Sequence, residues 1–147
     1  MTPPFTVPST ERDAALRLLA SLQRARRALV GYSEGCASRL GLSFQELIVL
    51  NELETTAHPT VVARSTGIPA STVSRLLRSL EDRGLVQREV DSVDLRRFRV
   101  SLTGEGKRVV KESQECLARS IEPRMGLLGK RRVEQLFRAL SVLEESA

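Results

Sequence analysis

Histidine is almost missing from this chain of 147 residues, and cysteine is scarce. One histidine, His58, and two cysteines, Cys36 and Cys116, cannot assemble a zinc site, and no Cys-x-x-Cys occurs. The same scarcity removes Ser/His/Asp and Cys/His triads, and no glycine-rich phosphate loop is present. No catalytic residue, metal or cofactor is therefore expected, and His58, in a loop beside Pro59, reads as a surface histidine. Long apolar runs are also lacking, since none approaches the ~20 residues of a membrane span. The first eight residues, with three prolines, read as an extended or disordered arm. They lack the basic and apolar regions of a signal peptide, so a cytoplasmic location is expected. In such a reducing compartment a structural disulfide is not expected. Both cysteines read as buried, inert thiols, with a redox-responsive role through Cys36 or Cys116 as the alternative.

What is present is ordinary in amount and unusual in placement. Hydrophobic residues make up 41% and charged residues 28%, as in a globular domain of one core. The formal charge is +5, and the segment from Val61 to Arg108 carries +4 of it. A positive excess gathered in one segment points to a polyanionic partner, because Lys and Arg near phosphates release condensed counterions.

The apolar periodicity predicts a mainly helical chain with one small hairpin. Thr10 can cap a helix with Glu11 and Asp13 in its first turn. Leu18, Leu22, Ala25 and Leu29 then recur at helical spacing, flanked by Leu16 and Leu19. Gly31 and Gly35 each cost about 1 kcal/mol inside a helix, so a bend or break is expected before Leu40. Ser43 and Glu46 have capping-box spacing, with Leu42 and Leu47 placed for a hydrophobic staple. Pro59 opens a short helix that turns Val62 and Ala63 inward and ends at Gly67. Another helix is predicted from about Ala70 to Arg83, its core face formed by Val73, Leu76, Leu77 and Leu80. Gly84 then supplies a left-handed cap position. In the hairpin that follows, Phe98, Val100 and Leu102 alternate with Arg97, Arg99 and Ser101, which predicts an apolar face toward the body and arginines outward. Thr103 caps a helix expected to run to about Ile121, broken by Pro123 and by glycines 126 and 129. A last helix from about Lys130 carries Val133, Leu136, Phe137, Leu140 and Leu143.

The polar face of the helix over 70–83 holds Ser71, Thr72, Ser74, Arg75 and Arg78. The major groove admits a helix, and short side chains near its N-terminal end let the backbone approach DNA. Arg75 and Arg78 are long enough to reach guanine or phosphate, and the guanidinium fork suits both. The hairpin adds Asp94, Arg96, Arg97 and Arg99. Arg97 and Arg99 would lie along the backbone, and Arg96 would enter the minor groove. Asp94 would hold Arg96 by an ion pair. Taken singly, each of these residues reads as a solvated surface or a helix cap. Together they predict a recognition helix followed by a basic wing, a winged helix-turn-helix.

Four segments carry a further likeness: Leu42–Glu46, Gly67–Leu76, Leu80–Arg88 and Asp94–Thr103, the last holding an Asp-x-Arg wing before a Val-x-Leu-Thr strand. In these the chain resembles the MarR family of bacterial transcription regulators, over almost its whole length. The resemblance implies one domain over 1–147, with dimerisation helices at about 10–40 and 104–145 and a DNA-binding lobe at about 43–103. It implies a homodimer whose first and last helices interlock, so that two winged helices meet successive turns of a pseudo-palindromic operator. It also implies a repressor modulated by a small-molecule effector, an aromatic or phenolic acid, held between the dimerisation helices and the lobe. No spacing marks the residues of that ligand site. Thr66 stands where the family has an apolar residue. Pro69 replaces a hydroxyl cap and is expected at the first helical position. The family's oxidation-sensing branch has its reactive cysteine early in the first helix, and Cys36 lies too late to match. A winged helix that binds protein instead of DNA is the remaining alternative, and it would need no basic tip.

Overall fold

The computed structural model describes residues 10–90 and 98–144. The expected arm over 1–8 and the tip of the hairpin lie outside them. Six helices and one hairpin follow in chain order: α1 Glu11–Arg39, α2 Phe44–Glu52, α3 Pro59–Thr66, α4 Ala70–Asp82, β1 Val86–Val90, β2 Phe98–Leu102, α5 Gly104–Leu128 and α6 Lys130–Glu144. The strands pair antiparallel, with Val86 opposite Leu102 and Val90 opposite Phe98. The fold is mainly α with a two-stranded wing, as the periodicity predicts.

The core lies in the middle of the chain. Leu47, Val49 and Leu50 of α2, Val62 of α3, and Val73, Leu77 and Leu80 of α4 pack with Val100 of β2 and Val109 and Val110 of α5. Ala37 is the one residue of α1 in that cluster. The rest of α1 exposes Leu16, Leu18, Leu19 and Leu29, and α6 exposes Leu136, Phe137, Val142 and Leu143. Both end helices thus carry apolar faces that no described part of this chain covers.

Local chemistry explains the boundaries. The Thr10 side chain accepts from the Asp13 N–H and starts α1. The capping box forms in both directions: the Glu46 N–H donates to Ser43 Oγ at 3.2 Å, and the Ser43 N–H donates to Glu46 Oε2 at 2.8 Å. Gly84 ends the α4 turn at φ +69°, a left-handed conformation that glycine adopts without Cβ strain.

Four expectations need correction. First, α1 runs unbroken through Gly31 and Gly35, because two penalties of about 1 kcal/mol each do not break the cooperative ladder of a helix of 29 residues. Second, α5 continues through Pro123 and Gly126 to Leu128, where Gly129 stops it. The proline removes one ladder bond without ending the helix. Third, Pro69 is the residue before the first turn of α4, not within it, and its carbonyl accepts from the Val73 N–H. Fourth, Cys36 and Cys116 are buried as expected but are not free thiols. They form a disulfide across the α1–α5 contact, with Cα atoms 5.9 Å apart. A separation of eighty positions hides a juxtaposition that only helix pairing creates.

Candidate nucleic-acid interface

Two short helices and a glycine turn build the site. The Thr66 hydroxyl donates to the Val62 carbonyl at 2.6 Å and accepts from the Ile68 N–H at 3.3 Å. The unusual threonine therefore stitches the α3–α4 turn, while Ile68 is buried beneath it. Beyond this turn α4 divides cleanly. Val73, Leu76, Leu77 and Leu80 are buried, and Ser71, Ser74, Arg75 and Arg78 are exposed in one stripe at i, i+3, i+4 and i+7. Thr72 is half-buried on the flank of that stripe.

The arginines of this region separate into two groups. Arg83 Nη2 donates to the Gly41 carbonyl at 3.0 Å, and its Nη1 lies 3.6 Å from Glu46 Oε2. Arg88 pairs with Glu81 at 3.0 Å. Arg108 pairs with Glu105 and Glu112 along α5. The hydrogen bond from Arg108 holds the Glu105 carboxyl below its ordinary value, outweighing a small desolvation effect. Arg75 and Arg78 make no such contact among the described residues and extend from a rigidly docked helix.

Glu46 is the positioning residue that local sequence patterns do not reveal. One carboxylate oxygen completes the α2 cap, and the other accepts from the Ser79 hydroxyl of α4 at 2.9 Å. Burial pushes this carboxyl up. The backbone N–H of Ser43, the hydroxyls of Ser79 and Ser43, and the charge of Arg83 together hold it below its ordinary value. The capping spacing announced the first contact, but nothing local announces a partner 33 positions away.

We predict that Glu46→Gln lowers folding stability by roughly 1–2 kcal/mol near neutral pH, through weakened charge-assisted hydrogen bonds. A carboxyl with a lowered folded pKa contributes its stability above its unfolded pKa and loses it as pH falls through the folded value. The gap between wild type and variant should therefore close between about pH 6 and about pH 3 in urea melts. A gap independent of pH would contradict this role.

The wing is fastened at its base. The Val100 N–H donates to the Ala57 carbonyl at 2.8 Å, which joins β2 to the loop before α3. Val100 is buried and Leu102 half-buried, as period two predicts, but Phe98 is 53% exposed. It lines a cavity of about 310 Å³ with His58, Pro59 and Thr60, because β2 leaves the core by that point. Arg99 is exposed and stands opposite Glu89 in the strand register. Asp94, Arg96 and Arg97 lie outside the described residues.

Residues 40–97, spanning α2, α3, α4 and β1 of the winged helix, match the family model described as the MarR family. Over this segment the chain is similar to the MarR family. The MarR fold extends to solved structures over nearly the whole chain. The structure of a MarR family protein from Bacillus stearothermophilus has a TM-score of 0.83 at 18% identity, covering 94% of this chain and 98% of its own. The Staphylococcus aureus MepR–DNA complex has a TM-score of 0.70 at 20% identity, covering 87% and 96%. CouR from Rhodococcus jostii RHA1, bound to p-coumaroyl-CoA, has a TM-score of 0.69 at 24% identity, covering 83% and 87%. At these identities the likeness establishes the MarR fold and no more.

Proposed function

We propose that this protein is a homodimeric transcription regulator that binds a specific site on double-stranded DNA and acts in the cytoplasm as an effector-modulated repressor. The observation that carries the reading is the division of α4: an apolar face locked in the core and, opposite it, an exposed Ser71, Ser74, Arg75 and Arg78 stripe without protein partners among the described residues. Hydroxyls and guanidinium forks without intramolecular work are groups available to bases and phosphates. MepR, which shares the fold, was solved with DNA. Catalysis has no part in this reading.

Dimerisation has independent support. Leu16, Leu18 and Leu19 of α1, and Leu136, Phe137 and Leu143 of α6, are all about half exposed or more. So many large apolar side chains on two end helices mark an association surface. A second copy is the fitting occupant, because two lobes would then present two recognition helices to successive turns of one groove. The same reading takes 1–147 as one domain, with dimerisation helices at about 10–40 and 104–145 and the DNA-binding lobe at about 43–103.

An effector site is proposed between α1, α2 and α5, where Phe44, Leu47, Ile48 and Leu117, with Ser33, Asn51 and Glu52, line a cleft of about 260 Å³. The apolar wall suits an aromatic ring and Glu52 could accept from a phenolic hydroxyl, and CouR was solved with p-coumaroyl-CoA. Binding there would favour one spacing of the two recognition helices over another.

The wing's role is tested at Arg96. Arg96→Ala should weaken DNA binding and reduce the slope of log affinity against log salt by about one. An unchanged slope would remove Arg96 from phosphate or minor-groove contact. The function itself is tested by selecting fragments from a random DNA library with the purified protein and titrating the winners, with sedimentation equilibrium to count the copies bound. A consensus bound by two copies supports the reading. Binding without preference, or one copy per DNA, overturns it.

A further inference from the structure

A cleft at the root of the wing has a volume of about 590 Å³, more than twice that of the cleft beside Phe44. Its floor is aliphatic: Leu53 at the end of α2, Ala57 in the loop that follows, and Val100 and Leu102 of β2. Leu53 and Val100 are buried and Leu102 is half-buried, so the floor is the edge of the core where it meets solvent. Lys107 and Lys111 of α5 line the same cleft and are exposed. Gln114, the next lining residue of α5, donates from its amide to Glu54 Oε2 at 2.6 Å and ties α5 to the segment after α2.

The charges around this cleft are out of balance. Lys107 and Lys111 stand four positions apart on α5, a spacing at which like charges repel and weaken a helix. Neither lies within ion-pair distance of a carboxylate among the described residues. Arg108, between them in sequence, is held by both Glu105 and Glu112. Those two carboxylates therefore serve the guanidinium and leave the ammonium groups without a counter-charge. Among the described residues Glu54 is the one carboxylate of the lining, and Gln114 engages it. Two lysines against one glutamate leave the lining with a surplus of one positive charge. A single carboxylate would neutralise it.

We propose that this cleft binds a small amphipathic carboxylate, an alkyl chain ending in one carboxyl group, which braces β2 against α5. The chain would lie on Leu53, Ala57, Val100 and Leu102 and remove their apolar surface from water. The carboxylate would sit beside Lys107 and Lys111 and relieve the repulsion between them. Ser101 adds a hydroxyl donor to the same lining. The absence of an aromatic ring among the described lining residues separates this site from the effector cleft, whose wall includes Phe44. The Val100 N–H already donates to the Ala57 carbonyl, and both residues line the cleft. A bound chain would cover that bond and reinforce the fastening of the wing. The site does not depend on what α4 binds.

The test uses the full chain and octanoate, with 1-octanol and octylammonium as controls. Titration followed at the methyl resonances of Leu53, Val100 and Leu102 should saturate with a Kd below about 1 mM. At the same resonances 1-octanol, which has the chain without the charge, should bind about tenfold more weakly, and octylammonium should not bind. The Lys107→Gln, Lys111→Gln protein should lose about tenfold in octanoate affinity and unfold thermally as wild type does, because both side chains are exposed. Amide exchange at Val100 should slow several-fold with octanoate in wild type and stay unchanged in the variant. Shifts confined to Leu47, Ile48 and Leu117 of the effector cleft, equal affinity for octanol and octanoate, or a Val100 exchange rate indifferent to octanoate overturn the proposal. So does a double variant that binds octanoate like wild type but lowers the salt slope of DNA affinity by about two, since the lysines then serve phosphates.

Discussion

An alanine at position 106 is expected to lower folding stability by about 3 kcal/mol or more, an unusually large effect for one added methyl group. A Cβ built on Gly106 would lie 2.0 Å from the Leu85 carbonyl oxygen and 3.1 Å from its carbon. Both are backbone atoms, so no side chain can rotate away. The close approach has a purpose in the fold. The Thr103 hydroxyl donates to the Gly84 carbonyl at 2.7 Å and accepts from the Gly106 N–H at 3.0 Å, while the Thr103 N–H donates to the Leu85 carbonyl. The N-terminus of α5 is thus pressed onto the turn that joins α4 to β1. Alanine would force α5 away from that turn, moving α4 and the hairpin relative to α5. Urea melts of wild type and Gly106→Ala measure the difference, and a change within about 0.5 kcal/mol, the range of ordinary surface substitutions, would contradict the packing described.

The second large effect concerns binding and should leave stability untouched. Arg75→Ala and Arg78→Ala are each expected to cost about 1–3 kcal/mol of specific DNA affinity, the range for a base-reading arginine. Combined, they should approach the sum if the two side chains read separate bases. Neither guanidinium has an intramolecular partner among the described residues, so truncation exposes no unpaired charge. Thermal unfolding of the variants should match wild type. An undiminished affinity of the double variant at fixed salt would remove α4 from the interface.

Much of this architecture was legible because its signals are local. The Ser43–Glu46 spacing, the i, i+4, i+7 pattern of Val73, Leu77 and Leu80, and Gly84 at a helix end each depend on a few neighbouring residues. The failures share one cause, which is contact between distant segments. Glu46 reaching Ser79, Cys36 meeting Cys116, and Gly106 resting on Leu85 are all products of packing. Gly31, Gly35 and Pro123 misled in the opposite direction, since a penalty confined to one turn does not interrupt helices of 29 and 25 residues. Phe98 failed for a third reason: strand alternation predicts a face, not the point at which that face leaves the core. Of the candidate site, the α4 stripe and Arg99 stand where periodicity put them, whereas the roles of Asp94, Arg96 and Arg97 rest on sequence and resemblance alone.

Hydroxyl-radical footprinting of the selected DNA fragment, with wild type and the Arg75→Ala, Arg78→Ala variant side by side, tests the central claim most directly. Two protected half-sites about one helical turn apart, related by an approximate dyad and lost in the variant, are the predicted result. Uniform protection along the fragment, or two half-sites that persist without both arginines, would contradict it.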